Sequence, residues 1–286
     1  MAGGTGSRLY PITRAVSKQL VPVHDKPMIY YPISVLMLSG IREILIITTP
    51  DDQAAFRRLL GDGSDWGMSI EYAVQPKPEG IAQALLIAQP FLTGAPAALI
   101  LGDNIFYGNG LAALLEQAMG EDAGARIFAY RVRDARRYGV VEFDEQGAIA
   151  RVSEKPAQAR SPFAITGLYF YDSTAPERAR ALVPSERGEL EITQLNESYL
   201  RDGQLAASLM GRGYTWLDTG THASLLDAGN FVRITEERQG IKVCCPEEIA
   251  WRKGFIDDER LARLAQPLTK SGYGEYLLAL LEDRSL

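Results

Sequence analysis

The chain of 286 residues is 46% hydrophobic and 23% charged, with a formal net charge of −6, values that are ordinary for a globular protein of one or two domains. The acidic balance argues against a protein that coats nucleic acid, and no apolar run approaches the roughly 20 residues of a membrane span. There is no basic and apolar leader, and the adjacent Cys244 and Cys245 lack zinc spacing, so we expect a cytoplasmic protein with two reduced thiols.

Strands and helices alternate in the first half of the chain. Continuous apolar runs, typical of strands buried on both faces of a parallel sheet, predict strands at 44–47, 97–101 and 127–130. We also interpret 70–74, which Gln75 follows, as a strand. Helical patterns predict helices at 32–39, 50–60, 81–89 and 111–119. The alternation predicts an α/β fold with a Rossmann-like, mostly parallel sheet flanked by helices, built from right-handed βαβ units up to about residue 130.

The pattern changes after residue 130. A hairpin is predicted at 140–143 and 148–153 around a turn at 144–147, followed by a strand at 164–171, and we interpret it as a substrate-facing insertion. Helical patterns at 222–237, 257–265 and 273–281 predict a helical C-terminal region. We expect an α/β core at 1–220, with halves at about 1–130 and 131–220, and a helical region at 221–286 packed on it.

The N-terminal loop is dense in glycine and ends in a cation. Its glycines let the backbone approach an anion closely with N–H groups pointing inward, and Arg8 and Lys18 add positive charge. A Walker A loop is excluded because Arg8 and Leu9 follow at the places where it needs glycine and lysine. A dinucleotide fingerprint is excluded because Leu9 replaces its third glycine. The loop therefore predicts a phosphate site of another nucleotide-binding class.

Two aspartates come directly after apolar runs. Asp103 follows the run at 97–101, and Asp218 follows the run at 214–217. Ligands of open α/β sheets bind outside the carboxyl ends of the strands. Two carboxylates beside a phosphate loop form an oxygen-rich site of the kind that Mg²⁺ prefers, so we predict a Mg²⁺ site there.

The order of motifs resembles that of the sugar-nucleotidyltransferase family, and more narrowly that of its glucose-1-phosphate thymidylyltransferases. The resemblance covers nearly the whole chain. The motifs that carry it are GGTGSRL at 3–9, KQLVP at 18–22, DKPMIYYP at 25–32, QPKPEG at 75–80, LGDN at 101–104, RYGVV at 137–141, EKP at 154–156, TGLY at 166–169, RGELEIT at 187–193 and WLDTG at 216–220.

The resemblance implies that the half at 1–130 binds the nucleotide and the half at 131–220 the sugar phosphate. The residues implied for the nucleotide are Ala2, Gly3, Gly4, Thr5, Gly6, Ser7, Arg8, Lys18, Gln19, Gln75, Pro78, Gly80 and Asp103. The residues implied for the sugar phosphate are Asn104, Tyr138, Gly139, Glu154, Lys155, Ile165, Tyr169, Arg187 and Asp218.

Particular roles follow from the same resemblance. Arg8, Lys18 and Lys155 are the implied catalytic residues, with Lys155 on the sugar 1-phosphate. Glu154 is implied to bond to sugar hydroxyls, and Asp103 and Asp218 match the metal ligands. Gln75 ends a predicted strand and can pair a donor and an acceptor with a pyrimidine edge, while Gly80 lets the backbone approach the base.

The implied reaction joins dTTP and α-D-glucose 1-phosphate to give dTDP-glucose and pyrophosphate, with Mg²⁺, as the first step of dTDP-L-rhamnose biosynthesis. A UTP-dependent enzyme, or one for another hexose 1-phosphate, stays open, because the thymine methyl group is worth only about 1–3 kcal/mol in a pocket. A non-catalytic nucleotide-sensing subunit is the alternative from another class. The presence of Asp103, Lys155 and Asp218 together argues against it.

The resemblance also implies a homotetramer with an inter-subunit regulatory site for a dTDP-sugar feedback inhibitor. Arg212, Glu248 and Arg252 stand at the implied regulatory positions. Asn109 and Ala112 depart from the pattern, because close relatives often carry histidine there.

The chain as printed starts close to its glycine loop. Relatives in the family carry a short apolar strand directly before this loop, whereas Met1 adjoins Ala2 here. Three buried aliphatic side chains of such a strand represent about 5–9 kcal/mol. We therefore expect a truncation, or a start codon assigned too far downstream, and a more stable and more active protein when the upstream residues are added.

Overall fold

The structure is a computed structural model, and it describes residues 1–4, 6–120 and 124–283. The strands are β1 (Pro22–Val23), β2 (Lys26–Pro27), β3 (Glu43–Thr48), β4 (Ser69–Val74), β5 (Ala97–Ile100), β6 (Asn104–Gly108), β7 (Ala125–Arg131), β8 (Gly139–Phe143), β9 (Ile149–Glu154), β10 (Phe163–Tyr171), β11 (Leu205–Met210) and β12 (Tyr214–Asp218). The helices are α1 (Tyr30–Leu38), α2 (Gln53–Leu60), α3 (Gln83–Leu92), α4 (Leu111–Gly120), α5 (Ala175–Arg180), α6 (Ile192–Arg201), α7 (His222–Gln239), α8 (Pro246–Arg252), α9 (Asp258–Ala265) and α10 (Gly272–Glu282).

The predicted elements are confirmed, with shifts of a few residues at their ends. The hairpin of β8 and β9 and the C-terminal helices α7, α9 and α10 lie where the sequence places them. The structure adds β1, β2, β6, β11, α5, α6 and α8, which the sequence patterns do not predict. Among the described residues, no helix is long and apolar enough to cross a membrane.

The α/β class is confirmed, and the main sheet is mixed. Strands β11 and β7 pair in parallel, whereas β10 pairs antiparallel with β5, β7 and β8, and β8 pairs antiparallel with β9. The expectation of a mostly parallel sheet is therefore corrected for this sheet. The reason is that a continuous apolar run reports burial on both faces of a strand and carries no information on its direction.

By its internal contacts the chain divides into two compact units. We call one the sheet unit, which consists of Met1, Ala73–Leu101 and Gly108–Trp216 and contains the six-stranded sheet. We call the other the glycine-loop unit, which consists of Ala2–Tyr72, Gly102–Tyr107 and Leu217–Leu286.

Each unit has its own core. In the sheet unit, Phe128 of β7 and Phe170 of β10 pack edge to face with ring centroids 5.4 Å apart. In the glycine-loop unit, Ala228 and Val232 of α7 pack with Tyr31 of α1, whose hydroxyl donates to the Val23 carbonyl at 2.7 Å. Met28 and Tyr31 of this core belong to the DKPMIYYP motif, and Val23 directly follows KQLVP. The core therefore holds in place the segments that carry both motifs.

Candidate active site

The loop of the glycine-loop unit starts beside β3 and turns at a glycine. The Ala2 N–H donates to the Ile47 carbonyl at 2.7 Å. Gly6 has a φ of +61°, and a Cβ there would lie 3.3 Å from the Cβ atoms of Lys18 and Thr13. A side chain at Gly6 would therefore press on the stem of Lys18 in a conformation that favours glycine. This packing brings Lys18 against the loop.

The other loop residues differ in exposure. Gly4, Ser7 and Arg8 are exposed, whereas Gly3 is buried. Thr5, which the resemblance implies for nucleotide binding, lies outside the described residues. The exposed part of the loop therefore presents the Arg8 guanidinium and the backbone of Gly4 and Ser7, and both kinds of group can bind a phosphate.

Lys18 and Asp103 form a largely buried ion pair. Lys18 is 7% exposed, and its Nζ donates to Asp103 Oδ2. Asn104 Nδ2 donates to the other oxygen, Oδ1, at 2.8 Å. Burial by itself raises the pKa of Asp103, but the charge and hydrogen bond of Lys18, together with the Asn104 bond, hold that pKa below its usual range. Asp103 is therefore an anion at neutral pH.

The segment after β12 lies against the same aspartate. Thr219 donates to the Asp103 backbone carbonyl twice, from its N–H at 3.2 Å and from its Oγ1 at 2.9 Å. A Cβ on Gly220 would lie 3.1 Å from Asp218 Oδ2 and 3.5 Å from both terminal nitrogens of Arg8. The structure therefore brings both predicted metal ligands and Arg8 into one part of the glycine-loop unit.

Gln19 and Asn104 take supporting positions in this unit. Gln19 is 5% exposed, and its Oε1 accepts from Ser17 Oγ at 2.9 Å. Asn104, predicted for the sugar phosphate, is 3% exposed and bonds to the Asp103 carboxylate. Both side chains are therefore engaged with neighbouring protein groups.

Glu154 is the centre of a polar cluster in the sheet unit. Its Oε2 accepts from Thr193 Oγ1 at 2.6 Å, and its Oε1 lies 2.9 Å from Lys155 Nζ and 3.7 Å from an Arg187 nitrogen. The Lys155 N–H donates to the Tyr138 carbonyl at 3.1 Å, with the lysine at a φ of +37° that non-glycine residues seldom adopt. Its ammonium is half-exposed, so the cluster offers a cation and a positioned carboxylate to a ligand that carries phosphate and hydroxyl groups.

Arg187 adds a second cation to this cluster. Its NH2 group donates to Glu191 Oε1 at 2.7 Å, and the same oxygen accepts from Ser185 Oγ at 2.8 Å. Burial lowers the pKa of Arg187, but the bond and charge of Glu191, with Glu189 and Glu154, raise it further above its usual value. Arg187 therefore stays charged at neutral pH.

Gly139 and Ile165 complete the surroundings of the cluster. A Cβ on Gly139 would lie 3.3 Å from Thr193 Oγ1, 3.5 Å from Ile165 Cδ1 and 3.6 Å from Glu154 Oε2. Burial and the Glu154 charge raise the pKa of Tyr169, so its hydroxyl is neutral. The structure thus brings these three predicted sugar-phosphate residues to Glu154.

Tyr138 and Tyr169 pack against other aromatic rings. Tyr138 meets Trp216 edge to face, with centroids 5.1 Å apart. Tyr169 is 4% exposed and stacks on Tyr171 at 6.0 Å. Both tyrosines therefore also contribute to the packing of the sheet unit.

Gln75 follows β4 and is 2% exposed. Its Nε2 donates to Gln83 Oε1 at 2.5 Å and to the Gly80 carbonyl at 3.3 Å. Both N–H groups of the amide are thus engaged, and the expectation that Gln75 offers a donor as well as an acceptor is corrected, because only Oε1 remains. A Cβ on Gly80, at a φ of +104°, would lie 2.4 Å from the Leu190 carbonyl oxygen, so Gly80 makes its close approach to Leu190. Pro78 is exposed in the same loop.

The residues implied for regulation are placed in both units. Arg252 Nε donates to Glu248 Oε1 at 2.7 Å along α8, and the Tyr276 hydroxyl donates to Glu248 Oε2 at 2.7 Å. Arg212 is exposed in the sheet unit. The structure therefore brings Glu248 and Arg252 together within the glycine-loop unit.

A second group of titratable side chains lies apart from the glycine loop in sequence. His24, Asp25 and Glu236 hold ligand atoms within 4.8 Å of one another. Lys26 Nζ donates to Asp25 at 2.6 Å and to Glu236 at 2.9 Å, and Lys242 bonds to the same two carboxylates. Because two ammonium groups already neutralise the carboxylates, this group is an ion-pair network rather than a metal site.

Sequence reasoning misses Thr193, Glu191 and Thr219. Glu191 and Thr193 lie in the RGELEIT motif and Thr219 lies in WLDTG, and each holds a predicted residue by a hydrogen bond. Their position beside Glu154, Arg187 and Asp103 depends on tertiary contacts between distant segments, so membership in those motifs is the one signal that could point to them.

Comparison with known proteins gives the family. The profile of the nucleotidyl transferase family matches residues 1–234. A glucose-1-phosphate thymidylyltransferase of Xanthomonas campestris pv. campestris (strain B100) is 60% identical over 280 residues, which cover 98% of this chain and 95% of the relative. The chain belongs to the glucose-1-phosphate thymidylyltransferase family of nucleotidyl transferases.

Further relatives agree with this nucleotidyl transferase assignment. The glucose-1-phosphate thymidylyltransferase of Neisseria meningitidis serogroup A is 56% identical over 282 residues, covering 99% of this chain and 98% of the relative. A Bacillus anthracis protein assigned to the same activity, crystallised in complex with a sucrose, is 40% identical with a TM-score of 0.76, covering 81% of this chain and 93% of that one. The glycine loop, the Lys18–Asp103 pair and the Glu154 cluster all lie within the residues that the nucleotidyl transferase profile matches.

Lys18→Met should destabilise this nucleotidyl transferase most at neutral pH. The change removes the charge that lowers the Asp103 pKa, so we expect a loss of about 1–3 kcal/mol in the free energy of unfolding at pH 7. A lowered pKa stabilises the fold above the unfolded-state pKa, about 3.9 for aspartate, and that contribution is lost as pH falls through the folded-state pKa. The difference from wild type should therefore shrink on acidification.

Urea unfolding at pH 7 and at about pH 3 measures this difference. Arg14→Met, which removes an exposed cation from the neighbouring turn, is the matched control and should change the free energy by less than about 0.5 kcal/mol. A Lys18→Met difference that is the same at both pH values would contradict the ion pair.

Proposed function

We propose that this nucleotidyl transferase joins dTTP and α-D-glucose 1-phosphate to give dTDP-glucose and pyrophosphate, as the first step of dTDP-L-rhamnose biosynthesis. The observation that carries the proposal is the name shared by relatives that are 60% and 56% identical over nearly the full length of both chains.

The proposed reaction requires the two substrates to be positioned and their negative charge to be neutralised, and it requires no general base. An oxygen of the sugar phosphate attacks the α-phosphorus of dTTP in line, a new P–O bond forms, and the bond to the pyrophosphate group breaks. The nucleophile is already an anion at neutral pH, so no proton has to be removed from it. The barrier is lowered mainly by holding two mutually repelling anions in place and by neutralising the charge that develops on the leaving group.

The glycine-loop unit supplies groups for the nucleotide phosphates. Arg8 is exposed, and it shares the space around Gly220 with the Asp218 carboxylate. We assign Arg8, Lys18 and the loop N–H groups to the charge that grows on pyrophosphate. Lys18 is already fixed by Asp103, so it is oriented before substrate binds.

The carboxylates of Asp103 and Asp218 fit a divalent metal. The low pKa of Asp103 keeps it anionic, and each of its oxygens keeps lone-pair capacity beyond the one bond from Lys18 or Asn104. Glycine at 220 leaves the space beside Asp218 Oδ2 clear. We propose that these two residues hold Mg²⁺, which would polarise the α-phosphate when bound.

The sheet unit supplies groups for glucose 1-phosphate. We assign Lys155, whose ammonium is half-exposed, to the phosphate of this substrate. Glu154 is held by Thr193 and keeps acceptor capacity for sugar hydroxyls. Arg187 adds a positive charge within 3.7 Å of the same carboxylate.

The resemblance to the family also supports a proposal on regulation. We propose a homotetramer with a feedback site for a dTDP-sugar that uses Arg212, Glu248 and Arg252. The Glu248–Arg252 bond on α8 supports the pairing of two of these residues.

The nucleotide and sugar specificity can be tested directly. Product formation from glucose 1-phosphate with each of dTTP, UTP, CTP, ATP and GTP should be fastest with dTTP. UTP should be second, because its base lacks only the methyl group, worth about 1–3 kcal/mol, and its sugar adds one 2′-hydroxyl. A preference for UTP would support the uridylyltransferase alternative. No turnover with any nucleotide, at saturating Mg²⁺, would support a nucleotide-sensing subunit.

Asp103→Asn keeps the shape of the side chain and removes one anionic metal ligand. We expect turnover to fall by at least about 100-fold, because several kcal/mol of transition-state stabilisation is lost. The measurement is kcat at saturating Mg²⁺, with Asp227→Asn on the exposed face of α7 as the control that should keep wild-type turnover. Near-normal turnover of Asp103→Asn would remove this residue from the metal site.

Lys155→Ala should act on one substrate more than on the other. We expect KM for glucose 1-phosphate to rise at least about 10-fold, with a much smaller change in KM for dTTP, because the proposed partner is the sugar phosphate. Arg160→Ala, an exposed cation five residues away, is the matched control. An equal rise in both KM values would place Lys155 on the nucleotide instead.

A further inference from the structure

The amide of Gln75 is held in one orientation by two acceptors. Its Nε2 donates to Gln83 Oε1 at 2.5 Å and to the Gly80 backbone carbonyl at 3.3 Å. A primary amide has two N–H donors, so the nitrogen of Gln75 has none left for a ligand. A flipped amide would place its oxygen against two other oxygens, an arrangement that leaves both of these partly buried acceptors unpaired.

The orientation of Gln83 is fixed in turn by a carboxylate. Gln83 Nε2 donates to Glu79 Oε2 at 2.7 Å. An ionised carboxylate can only accept hydrogen bonds, so the nitrogen of Gln83 must face Glu79 and its oxygen must face Gln75. The direction of both hydrogen bonds is therefore fixed: Gln75 donates to Gln83, and Gln83 donates to Glu79.

The backbone that carries these hydrogen-bonded side chains is itself held by hydrogen bonds to Leu190. The Leu190 N–H donates to the Glu79 carbonyl at 2.7 Å, and the Leu190 carbonyl accepts from the Ala82 N–H at 3.1 Å. Gly80 allows this approach, because a Cβ there would lie 2.4 Å from the Leu190 oxygen. Glu79, in this fixed loop, and Gln83, the first residue of α3, are thus held in place relative to each other.

Within this set of hydrogen bonds, Gln75 Oε1 is the side-chain amide oxygen that has no donor. Gln75 Oε1 is buried and accepts no hydrogen bond from any residue in the described part of the chain. A buried acceptor without a partner costs free energy, and a ligand that brings a donor relieves that cost. The proposed nucleotide base has such a donor at N3–H of its pyrimidine ring.

We propose that Gln83, oriented by Glu79, is a positioning residue that makes Gln75 an obligate acceptor and so selects a pyrimidine that carries N3–H. This inference rests on the proposed function, since it takes Gln75 to face the base. Thymine and uracil donate from N3, whereas cytosine presents a lone pair there and would repel Gln75 Oε1. The device therefore rejects cytosine and is indifferent to the methyl group that separates thymine from uracil.

The test compares kcat/KM for dTTP, dUTP and dCTP at saturating glucose 1-phosphate. For Gln83→Met, which keeps the length of the side chain and removes both of its hydrogen-bonding groups, the ratio of dTTP to dCTP should fall at least about tenfold. The ratio of dTTP to dUTP should stay within about twofold of wild type, since both bases carry N3–H. The exchange variant Glu79→Gln with Gln83→Glu keeps a donor and acceptor pair between the two positions and an acceptor facing Gln75, so it should retain the discrimination against dCTP.

Two further variants serve as controls. Gln89→Met makes the same chemical change in α3 at an exposed residue and should leave all three values unchanged. Glu79→Gln, also at an exposed residue, lets either orientation of Gln83 be satisfied and should lower the dTTP to dCTP ratio by about threefold. Because this side chain is exposed, the variant decides the question even if Gln83→Met fails to fold.

The outcomes separate the inference from the proposed function. If wild type uses dTTP but Gln83→Met and Glu79→Gln lower dTTP and dCTP by the same factor, the positioning role is overturned and the proposed function stands. If wild type uses neither dTTP nor dUTP, the proposed function is wrong and the inference fails with it.

Discussion

The Lys18–Asp103 ion pair is the contact on which the glycine-loop unit depends. It joins residues 85 positions apart, and both partners need each other because a largely buried charge without its counterion is costly. Gly6 makes room for the stem of Lys18, while Asn104 and Thr219 hold the carboxylate and the backbone of Asp103. This one ion pair therefore helps to hold three segments in place: the glycine loop, β6 and the segment after β12.

The two lysines assigned to the substrates, Lys18 and Lys155, differ in exposure, and this difference suggests different roles in binding. Both pair with a carboxylate, Lys18 with Asp103 and Lys155 with Glu154, but Lys18 is 7% exposed and Lys155 is 49% exposed. An exposed ion pair is worth at most about 1 kcal/mol and can be exchanged for a phosphate at little cost. A buried pair is held in place. The buried lysine is thus a fixed charge, whereas the exposed one is free to change partner when a ligand arrives.

Sequence patterns predicted where the elements lie and missed how they pair. The apolar runs at β3, β5 and β7 and the hairpin of β8 and β9 report burial and turn chemistry, which are local properties. The antiparallel partner of β5 is β10, more than sixty residues later, and nothing local encodes that choice. The same limit applies to the site. Motifs located Gln75 and Glu154, but their hydrogen bonds to Gln83 and Thr193 arise from the tertiary fold and decide what each side chain can offer.

Leu190 links two segments of the sheet unit through its backbone. Its N–H and carbonyl bond to Glu79 and Ala82 in the loop after Gln75, and the residues next to it in the RGELEIT motif hold Arg187 and Glu154. Anything that orders the loop at 79–82 therefore also orders the segment at 187–193. If a ligand at one segment changes the affinity for a ligand at the other, linkage requires the effect to be reciprocal, with the same factor in both directions. The backbone of Leu190 is thus the physical link between the loop that follows Gln75 and the segment that holds Arg187 and Glu154.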